Sequence, residues 1–319
     1  MCIRDRNKKA AIIAGIAIVG LVGAFALSNK KGITPDNNVA AESTMTIAHD
    51  LGETKVEKNP DRVVVFDIPT LDTMEVLGID NVVGVPTSTY PENLSKYESD
   101  EYTKVGTVKE VDLEAIKSAD PDLIIIGGRQ ADYYDQLSEI APTISVSKDN
   151  ADYVGSVKEN VNTIAELFEV EEKASEELKK VEARLNEVKK LVDGKEALTV
   201  MVNEGNLSVY SDKSRFALLN QGLGFVNVDK TIDDSTHGQT VTFEYLAEQD
   251  PEYLIVLDRG AATGGESTAE SVLDNDIVKS MDAYKNGNII YLDAYTWYIN
   301  DGGLNSINIM IDDIANAIK

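Results

Sequence analysis

Val111–Arg129 reads VDLEAIKSADPDLIIIGGR, and Val241–Arg259 reads VTFEYLAEQDPEYLIVLDR, so that the second segment aligns with the first without a gap. The two copies share Val, Glu, Asp-Pro, Ile and Arg at matching positions. Such an internal repeat indicates that one structural unit is used twice in the chain.

Each copy predicts a short helix followed by a buried strand. The helix should end before Asp-Pro, because the residue before Pro is pushed out of the helical region. The apolar runs Leu123–Ile126 and Tyr253–Leu257 are typical of strands buried on both faces of a parallel sheet. Arg129 and Arg259 then follow the carboxyl ends of these strands, where open α/β sheets bind their ligands.

The remaining pattern predicts an α/β protein with two Rossmann-like lobes built on parallel-rich sheets. We place the first lobe at residues 44–153 and the second lobe at residues 194–319. Further strands are predicted at Arg62–Phe66, Val82–Val85, Leu198–Asn203, Leu207–Tyr210, Thr240–Phe243 and Asn288–Leu292, and further helices at Thr70–Leu77, Ser214–Gln221 and Asn305–Ile318.

Residues 154–193 lie between the lobes and have apolar side chains at a helical period with charged residues elsewhere. No Pro interrupts the segment, and Gly194 follows it as a stop signal. We therefore predict one long rigid helix of about 50 Å joining the lobes. A coiled coil is the less favoured alternative.

The amino-terminal segment predicts export. Ala10–Leu27 is almost wholly apolar and has basic residues on both sides, which is the layout of an export signal and close to the roughly 20 residues that span a bilayer. Residues 1–31 are thus a signal peptide, cleaved after Ser28, or a retained membrane anchor, and residues 32–43 a flexible tether. Either way the body faces the extracytoplasmic side of the membrane. Cys2 precedes the apolar run, where a lipid-attachment cysteine does not occur.

Composition and motifs exclude several functions. The 30 Lys and Arg against 55 Asp and Glu give a net charge of −25, which argues against nucleic-acid binding. One Cys and two His exclude a disulfide framework and a three-His zinc centre. We find no nucleophile-elbow, P-loop or zincin motif. An enzyme is therefore not expected; an exported metal-assisted hydrolase and a structural surface protein remain as minor alternatives.

Three arginines are the candidate anion-binding residues: the repeat pair Arg129 and Arg259, and Arg215. We expect Arg215 at the start of the helix over 214–221, where free N–H groups also favour anions. Arginine binds oxygen anions through two parallel hydrogen bonds. The alternative is that each pairs with one of the many acidic side chains.

Two further residues have the chemistry of iron ligands. His237 lies in a polar Ser-Thr-His-Gly-Gln stretch, and Tyr298 lies beyond the predicted strand over 288–292, next to the only tryptophan, Trp297. Imidazole and phenolate are both competent Fe(III) ligands. Simple packing of these side chains in loops is the alternative.

Several segments taken together carry a family resemblance. They are KNPDRVVVFD (58–67), LDTMEVLGI (71–79), KVGTVKEVDLEAI (104–116), DPDLIIIGGRQADYY (120–134), SRFALL (214–219), STHGQTVTFEYLAE (235–248), DRGAA (258–262) and WYINDGG (297–303). In this order and spacing, the chain from about residue 45 to residue 319 resembles the iron–siderophore substrate-binding proteins of ABC importers, especially those for petrobactin and catecholate siderophores.

The resemblance implies the class III, or cluster A, substrate-binding fold, with the ligand in a cleft between two lobes joined by one long helix. It implies that Arg129, Arg215 and Arg259 hold an anionic Fe(III)–siderophore. The aromatic rings of the ligand would pack on Trp297. The cargo would be the only metal complex, with no intrinsic cofactor.

The resemblance also implies that His237 and Tyr298 complete the iron coordination where the siderophore leaves sites open. Glu75 would dock an arginine of the ABC permease. We expect a monomeric binding protein rather than an enzyme. A cobalamin or haem receptor on the same scaffold is the alternative.

Overall fold

Two β-sheets form the frame of the protein, and each has one copy of the repeated segment at its centre. The computed structural model describes residues 43–318. In chain order the strands are β1 (Thr44–His49), β2 (Gly52–Glu57), β3 (Val63–Val65), β4 (Val82–Thr87), β5 (Thr103–Thr107), β6 (Leu123–Ile126), β7 (Thr143–Ser145), β8 (Glu196–Asn203), β9 (Asn206–Val209), β10 (Val226–Asn227), β11 (Gln239–Val241), β12 (Tyr253–Asp258) and β13 (Ile289–Tyr291).

The first sheet is wholly parallel, in the order β5-β4-β3-β6-β7. The second sheet follows the order β11-β9-β8-β12-β13, with β10 beside β8. Its core of β8, β12, β13 and β10 is parallel, while β9 and β11 extend it in antiparallel fashion. Strands β1 and β2 form a separate antiparallel hairpin. The predicted α/β class with parallel-rich sheets is confirmed.

Helices cover both faces of each sheet, as parallel strands require. They are α1 (Ile68–Leu77), α2 (Leu113–Ala119), α3 (Tyr134–Ser138), α4 (Tyr153–Leu167), α5 (Glu171–Val192), α6 (Phe243–Gln249), α7 (Arg259–Thr263), α8 (Ala269–Leu273), α9 (Asp276–Ser280), α10 (Asp282–Lys285), α11 (Ala294–Tyr298) and α12 (Leu304–Ala317).

The two copies of the repeat fold alike, as the sequence predicts. Helices α2 and α6 precede the buried strands β6 and β12. Asp120 and Asp250 end the two helices in the left-handed conformation, with φ of 48° and 37°. Asx residues tolerate this conformation better than most, and the Pro that follows prevents the helix from continuing.

The predicted single helix over 154–193 is wrong in one respect, because it is broken into α4 and α5. Glu169 between them has a positive φ of 55°. The backbone N–H of Asn59 donates to the Leu167 carbonyl oxygen at 2.9 Å, and its side-chain amide donates to Glu169 Oε2 at 2.7 Å. A loop of the first lobe therefore caps the end of α4. No Pro or Gly marks this break in the sequence.

Two boundaries in the second half also differ from the prediction. The helix expected over 214–221 is a π-helical turn at Leu218–Gly222, so Arg215 lies in the turn before it and not at a helix N-terminus. The strand expected over 240–243 ends at Val241, because the hydroxyl of Thr242 accepts a hydrogen bond from the Tyr245 N–H and caps α6.

One hydrophobic core is shared by the two sheets. It runs from β3 through α4, α5 and α12 to β12, and includes the buried residues Val65, Val161, Val188, Ile311 and Ile255. Two smaller clusters cover the outer faces of the first and second sheets. By its contacts the body of the chain is one compact unit, so the two sheets are not independently packed.

The last helix of the chain begins against the first helix. Asp72 on α1 is fully buried, and its Oδ2 accepts hydrogen bonds from the N–H groups of Asn305 and Ser306 at 2.8 and 2.9 Å. Its Oδ1 accepts from the side-chain amide of Asn93 at 2.8 Å. Burial raises the pKa of Asp72, and these hydrogen bonds oppose that rise. Asp72 is thus the N-terminal cap of α12.

Gly303 is required by the close approach of these two helices. A Cβ at this position would lie 2.4 Å from Asp72 Oδ2 and 2.7 Å from the backbone oxygen of Pro69. Real Cβ atoms do not approach backbone this closely, and Pro69 cannot move without shifting α1. The Gly-Gly pair of WYINDGG therefore has a packing role.

The β1–β2 hairpin places a neutral histidine against the first sheet. The Leu51 N–H donates to His49 Nδ1 at 3.3 Å. The Thr54 hydroxyl donates to the Thr143 carbonyl oxygen at 2.7 Å, so its oxygen is left to accept from His49 Nε2–H at 3.0 Å. Both ring nitrogens are used in the uncharged form. Burial lowers the pKa of His49, and the nearby charge of Asp50 opposes this.

We expect the protein to lose stability in mild acid through His49. Because its folded pKa lies below the ordinary value of 6.5, the contribution is complete above that value and is lost as the pH falls through it. Replacing His49 by Gln should remove this part of the pH dependence. The check is the unfolding free energy of both proteins in denaturant between about pH 7 and pH 5; parallel curves would contradict the assignment.

The export segment predicted at residues 1–31 and the tether up to residue 42 lie outside the described residues. Within residues 43–318, no helix is both long and apolar enough to cross a membrane.

Candidate functional site

A cavity of about 360 Å³ opens at the carboxyl ends of β3, β6 and β7. Residues that directly follow these strands form one wall, and residues of the second half face them. The lining consists of Phe66, Asp67, Ile68, Val108, Gly127, Gly128, Arg129, Gln130, Val146, Ser147, Lys148, Asn150, Arg215, Thr236 and Asp301. The position agrees with the general rule for ligand sites in open α/β sheets.

The three predicted arginines converge on Tyr298. Arg129 Nη2 and Arg215 Nη2 each donate to the Tyr298 backbone oxygen at 2.8 Å, and Arg259 Nε donates to its hydroxyl oxygen at 2.8 Å. The guanidinium carbons of Arg215 and Arg259 lie 4.3 and 5.6 Å from the centre of the Tyr298 ring. Four residues chosen separately in the sequence thus form one cluster, here called the arginine cluster.

The arginine cluster changes the acidity of Tyr298. Burial acts to raise the pKa of the phenol, but the hydrogen bond from Arg259 and the charges of Arg259, Arg215 and Arg129 outweigh it, so the pKa is lowered. The tyrosine oxygen is therefore more easily ionised than in water. A phenolate held among cations suits an electron-poor metal such as Fe(III).

Two of the three arginines have no acidic partner among the described residues. Among the described residues, Arg129 and Arg259 make no ion pair, and Arg215 Nη2 lies 3.9 Å from Asp301 Oδ1. Arg259 also donates to the amide oxygen of Asn203 at 2.7 Å, which fixes its direction. The alternative in which each arginine pairs with an acidic side chain is therefore wrong for Arg129 and Arg259.

The side chain of Trp297 does not face the cleft, which corrects the prediction that it contacts the ligand. It is fully buried, and its indole N–H donates to Asp313 Oδ2 at 2.8 Å. Because α11 is a helix, successive residues point in different directions, and the side chain of Tyr298 is the one that contacts Arg215 and Arg259. Asp313 on α12 also accepts from the Asp293 N–H at 2.9 Å, so it fastens α11 to α12.

His237 lies at the edge of the site rather than in the arginine cluster. It is exposed, in the loop before β11, next to the cavity residue Thr236. Its backbone oxygen accepts a hydrogen bond from the Tyr210 hydroxyl at 3.1 Å. Within residues 43–318, the His237 ring makes no contact with Tyr298. The iron-binding role of His237 therefore stays a prediction. Residues 43–318 contain no group of three or more His, Cys, Asp or Glu side chains suited to a metal ion.

Glu75 lies outside the cleft on α1. It is partly buried and forms an ion pair with Lys96 at 2.6 Å, and Lys96 also pairs with Asp80 at 3.1 Å. Its permease-docking role also stays a prediction.

Three charged residues of the cleft, Asp67, Lys148 and Asp301, were missed by the sequence reasoning. Lys148 follows β7, and its Nζ lies 3.6 Å from Oδ2 of the buried Asp301. The available signal was position, because Lys148 follows a strand whose carboxyl end shares an edge with β6. The surrounding Ser-Lys-Asp-Asn stretch is typical of an ordinary polar loop, so nothing in the local sequence distinguished Lys148.

Comparison with known proteins identifies the family of the chain. The periplasmic binding protein family matches residues 63–296. The chain belongs to the periplasmic binding protein family. Its relatives in this family include the petrobactin-binding protein YclQ of Bacillus subtilis, 40% identical over 317 residues, covering 98% of this chain and 99% of the relative. The ferric-anguibactin-binding protein FatB of Vibrio anguillarum is 29% identical over 286 residues, covering 87% and 88%.

Solved structures of periplasmic binding proteins share the fold. The crystal structure of YclQ superposes with a TM-score of 0.84 at 42% identity, covering 86% of this chain and 99% of that one. The catecholate-siderophore-binding protein VctP of Vibrio cholerae gives 0.82 at 35% identity, covering 86% and 99%. The resemblance drawn from the sequence and the cluster A fold class are thereby confirmed. These relatives are binding proteins, in agreement with the prediction that the chain is not an enzyme.

Proposed function

We propose that this protein is the extracytoplasmic substrate-binding component of an ABC importer and captures an anionic Fe(III)–siderophore of the catecholate or mixed catecholate–citrate type, such as petrobactin. The observation that carries the proposal is the arginine cluster. Three guanidinium groups meet at one tyrosine beside a cavity, and such forks bind carboxylate and catecholate oxygens through charge-assisted hydrogen bonds.

The position of Tyr298 supports a second role for the cluster. Its hydroxyl oxygen is the atom that would enter the iron coordination sphere where a siderophore leaves a site open, with His237 as the second candidate ligand. The hydrogen bond from Arg259 and the charges of the three arginines lower the pKa of the Tyr298 phenol, which favours the phenolate. The iron belongs to the cargo and is not a resident cofactor.

The transport role rests on the family and on the cleft. A ligand between the first lobe (residues 44–153) and the second lobe (residues 194–319) would draw them together across the α4–α5 connection (residues 154–193). A closed monomer would then deliver its ligand to the permease, with Glu75 as a docking residue on the first lobe. Residues 1–31 would direct export or hold the protein at the outer face of the membrane.

A fluorescence titration tests the proposal, since Trp297 is the only tryptophan and lies next to Tyr298. The purified protein is titrated with ferric petrobactin, a ferric bis-catecholate, a ferric hydroxamate, haem and cobalamin. We expect submicromolar binding of the first two and at least about ten-fold weaker binding of the others, a difference of about 1.4 kcal/mol. Tight binding of haem, cobalamin or hydroxamate in preference to the catecholates would overturn the ligand assignment.

A further inference from the structure

We propose that Lys148 is a fourth cationic contact for the ligand and that Asp301 limits the negative charge that the cleft accepts. The inference rests on the proposed function and concerns the same cavity. The two sets of residues would have different roles. The arginine cluster attracts anions in general, whereas the Lys148–Asp301 pair would discriminate between anionic ligands of different charge.

The two residues face each other across the cleft. Lys148 belongs to the first lobe, three residues beyond the end of β7, and Asp301 lies in the loop before α12. Both line the cavity beside Arg129 and Arg215. The Lys148 side chain is 19% exposed and that of Asp301 only 9%. The stem of Lys148 packs on Gly302, where a Cβ would lie 2.7 Å from Lys148 Cδ, so the ammonium group is directed along the cavity wall.

Asp301 is held by two ion pairs but by no hydrogen bond. Its oxygens lie 3.6 Å from Lys148 Nζ and 3.9 Å from Arg215 Nη2, and both distances exceed those of a hydrogen bond. Within residues 43–318 it accepts no hydrogen bond. Buried carboxylates are ordinarily hydrogen-bonded as well as ion-paired.

Two donor groups near Asp301 also lack hydrogen-bond partners. Arg215 Nε is buried without a partner among the described residues, and so is the hydroxyl of Tyr153, which is close enough for Asp301 and Arg215 to influence its pKa. Arg215 Nε, the Tyr153 hydroxyl and the Asp301 carboxylate thus lie close together but do not form hydrogen bonds with one another. A ligand oxygen entering between Lys148 and Arg215 would complete both.

The charges then act in opposite directions on an incoming ligand. Lys148 adds a donor and a positive charge at the first-lobe wall, next to Arg129. Asp301 adds a fixed negative charge that an anionic ligand must approach, and like charges across an interface cost binding energy and give specificity. The other carboxylate of the lining, Asp67, is committed to capping α1 through Thr70. Asp301 is the carboxylate that faces Lys148 and Arg215, so it is the one that we expect to set the charge limit.

Ferric siderophores of different charge test this inference. A trianionic ferric tris-catecholate, ferric petrobactin and an uncharged ferric tris-hydroxamate are titrated into the full protein and into Lys148→Met, Lys148→Arg and Asp301→Asn. We expect Lys148→Met to weaken the trianion by about ten-fold and Lys148→Arg to stay within about three-fold. Asp301→Asn should tighten the trianion by several-fold, and the uncharged hydroxamate should respond to none of these changes.

Two controls keep the failures apart. Lys180→Met removes an exposed lysine paired with Glu177 and should leave all affinities unchanged. Lys148→Met also removes one of the two cations that pair with Asp301. The double variant Lys148→Met/Asp301→Asn is therefore measured against Asp301→Asn alone, and should bind the trianion more weakly. If neither lysine variant alters binding while Arg215→Ala does, the inference is wrong and the proposed function stands. If the unmodified protein binds no ferric siderophore, the proposed function fails first.

Discussion

Replacing Arg215 by Ala is expected to weaken the binding of a ferric catecholate by about 10- to 100-fold. Arg215 donates to the Tyr298 backbone oxygen, stacks on its ring and lies beside Asp301. Each charge-assisted hydrogen bond lost is worth roughly 1.5–3 kcal/mol, and each 1.4 kcal/mol is about ten-fold in affinity. The measurement is the dissociation constant from the tryptophan titration, with a thermal scan of the unliganded variant.

Two substitutions bracket this result. Arg215→Lys keeps the charge but loses the planar fork, so its affinity should lie between those of the unmodified protein and Arg215→Ala. Arg184→Ala is the matched control, because Arg184 is a half-buried arginine on α5 that pairs with Glu187 and Asp312 and does not line the cavity. Unchanged affinity in a folded Arg215→Ala protein would mean that the ligand does not reach the arginine cluster.

Replacing Asp72 by Ala should cause the largest loss of stability. The substitution leaves the N–H groups of Asn305 and Ser306 and the amide of Asn93 without their acceptor inside the protein. Loss of a cap costs about 1–2 kcal/mol, and each buried donor left unpaired costs about 1–3 kcal/mol. A total near 3 kcal/mol corresponds to a fall in Tm of about 5 °C in a protein of this size.

The control for Asp72 is its isostere. Asp72→Asn keeps an acceptor oxygen for α12 and removes a buried charge, and Asn93 can turn its amide to face the new side chain. It should therefore lose less than half of what Asp72→Ala loses in a calorimetric scan. Equal Tm values for Asp72→Ala and the unmodified protein would show that α12 does not depend on this cap.

The sequence was most informative where local pattern and burial agree. The repeat predicted both buried strands, because a continuous apolar run before a polar turn has few alternatives. The break at Glu169 was not predictable from the chain itself, since the residue that stabilises it is Asn59, more than a hundred positions away. The prediction of a helix over 214–221 was wrong for a related reason. The apolar spacing of this segment fits an α-helix, but the chain forms a π-helical turn there.

The site was predictable as a set of residues but not as an arrangement. Position after a strand identified Arg129 and Arg259, and Tyr298 was chosen for its chemistry. Their convergence depends on how α11 is fastened to α12 by Asp313, which no local pattern reveals. The same dependence explains the error at Trp297, because one position along a short helix decides which side chain faces the cleft.

The cap of α12 bears on how the nascent chain folds during its synthesis. Asp72 and its donor Asn305 are 233 positions apart, so Oδ2 of Asp72 lacks its donors on α12 until residues near 306 have left the ribosome. Contacts of such long separation also slow folding. The early part of the chain is thus expected to stay incompletely folded until its last helix has been made.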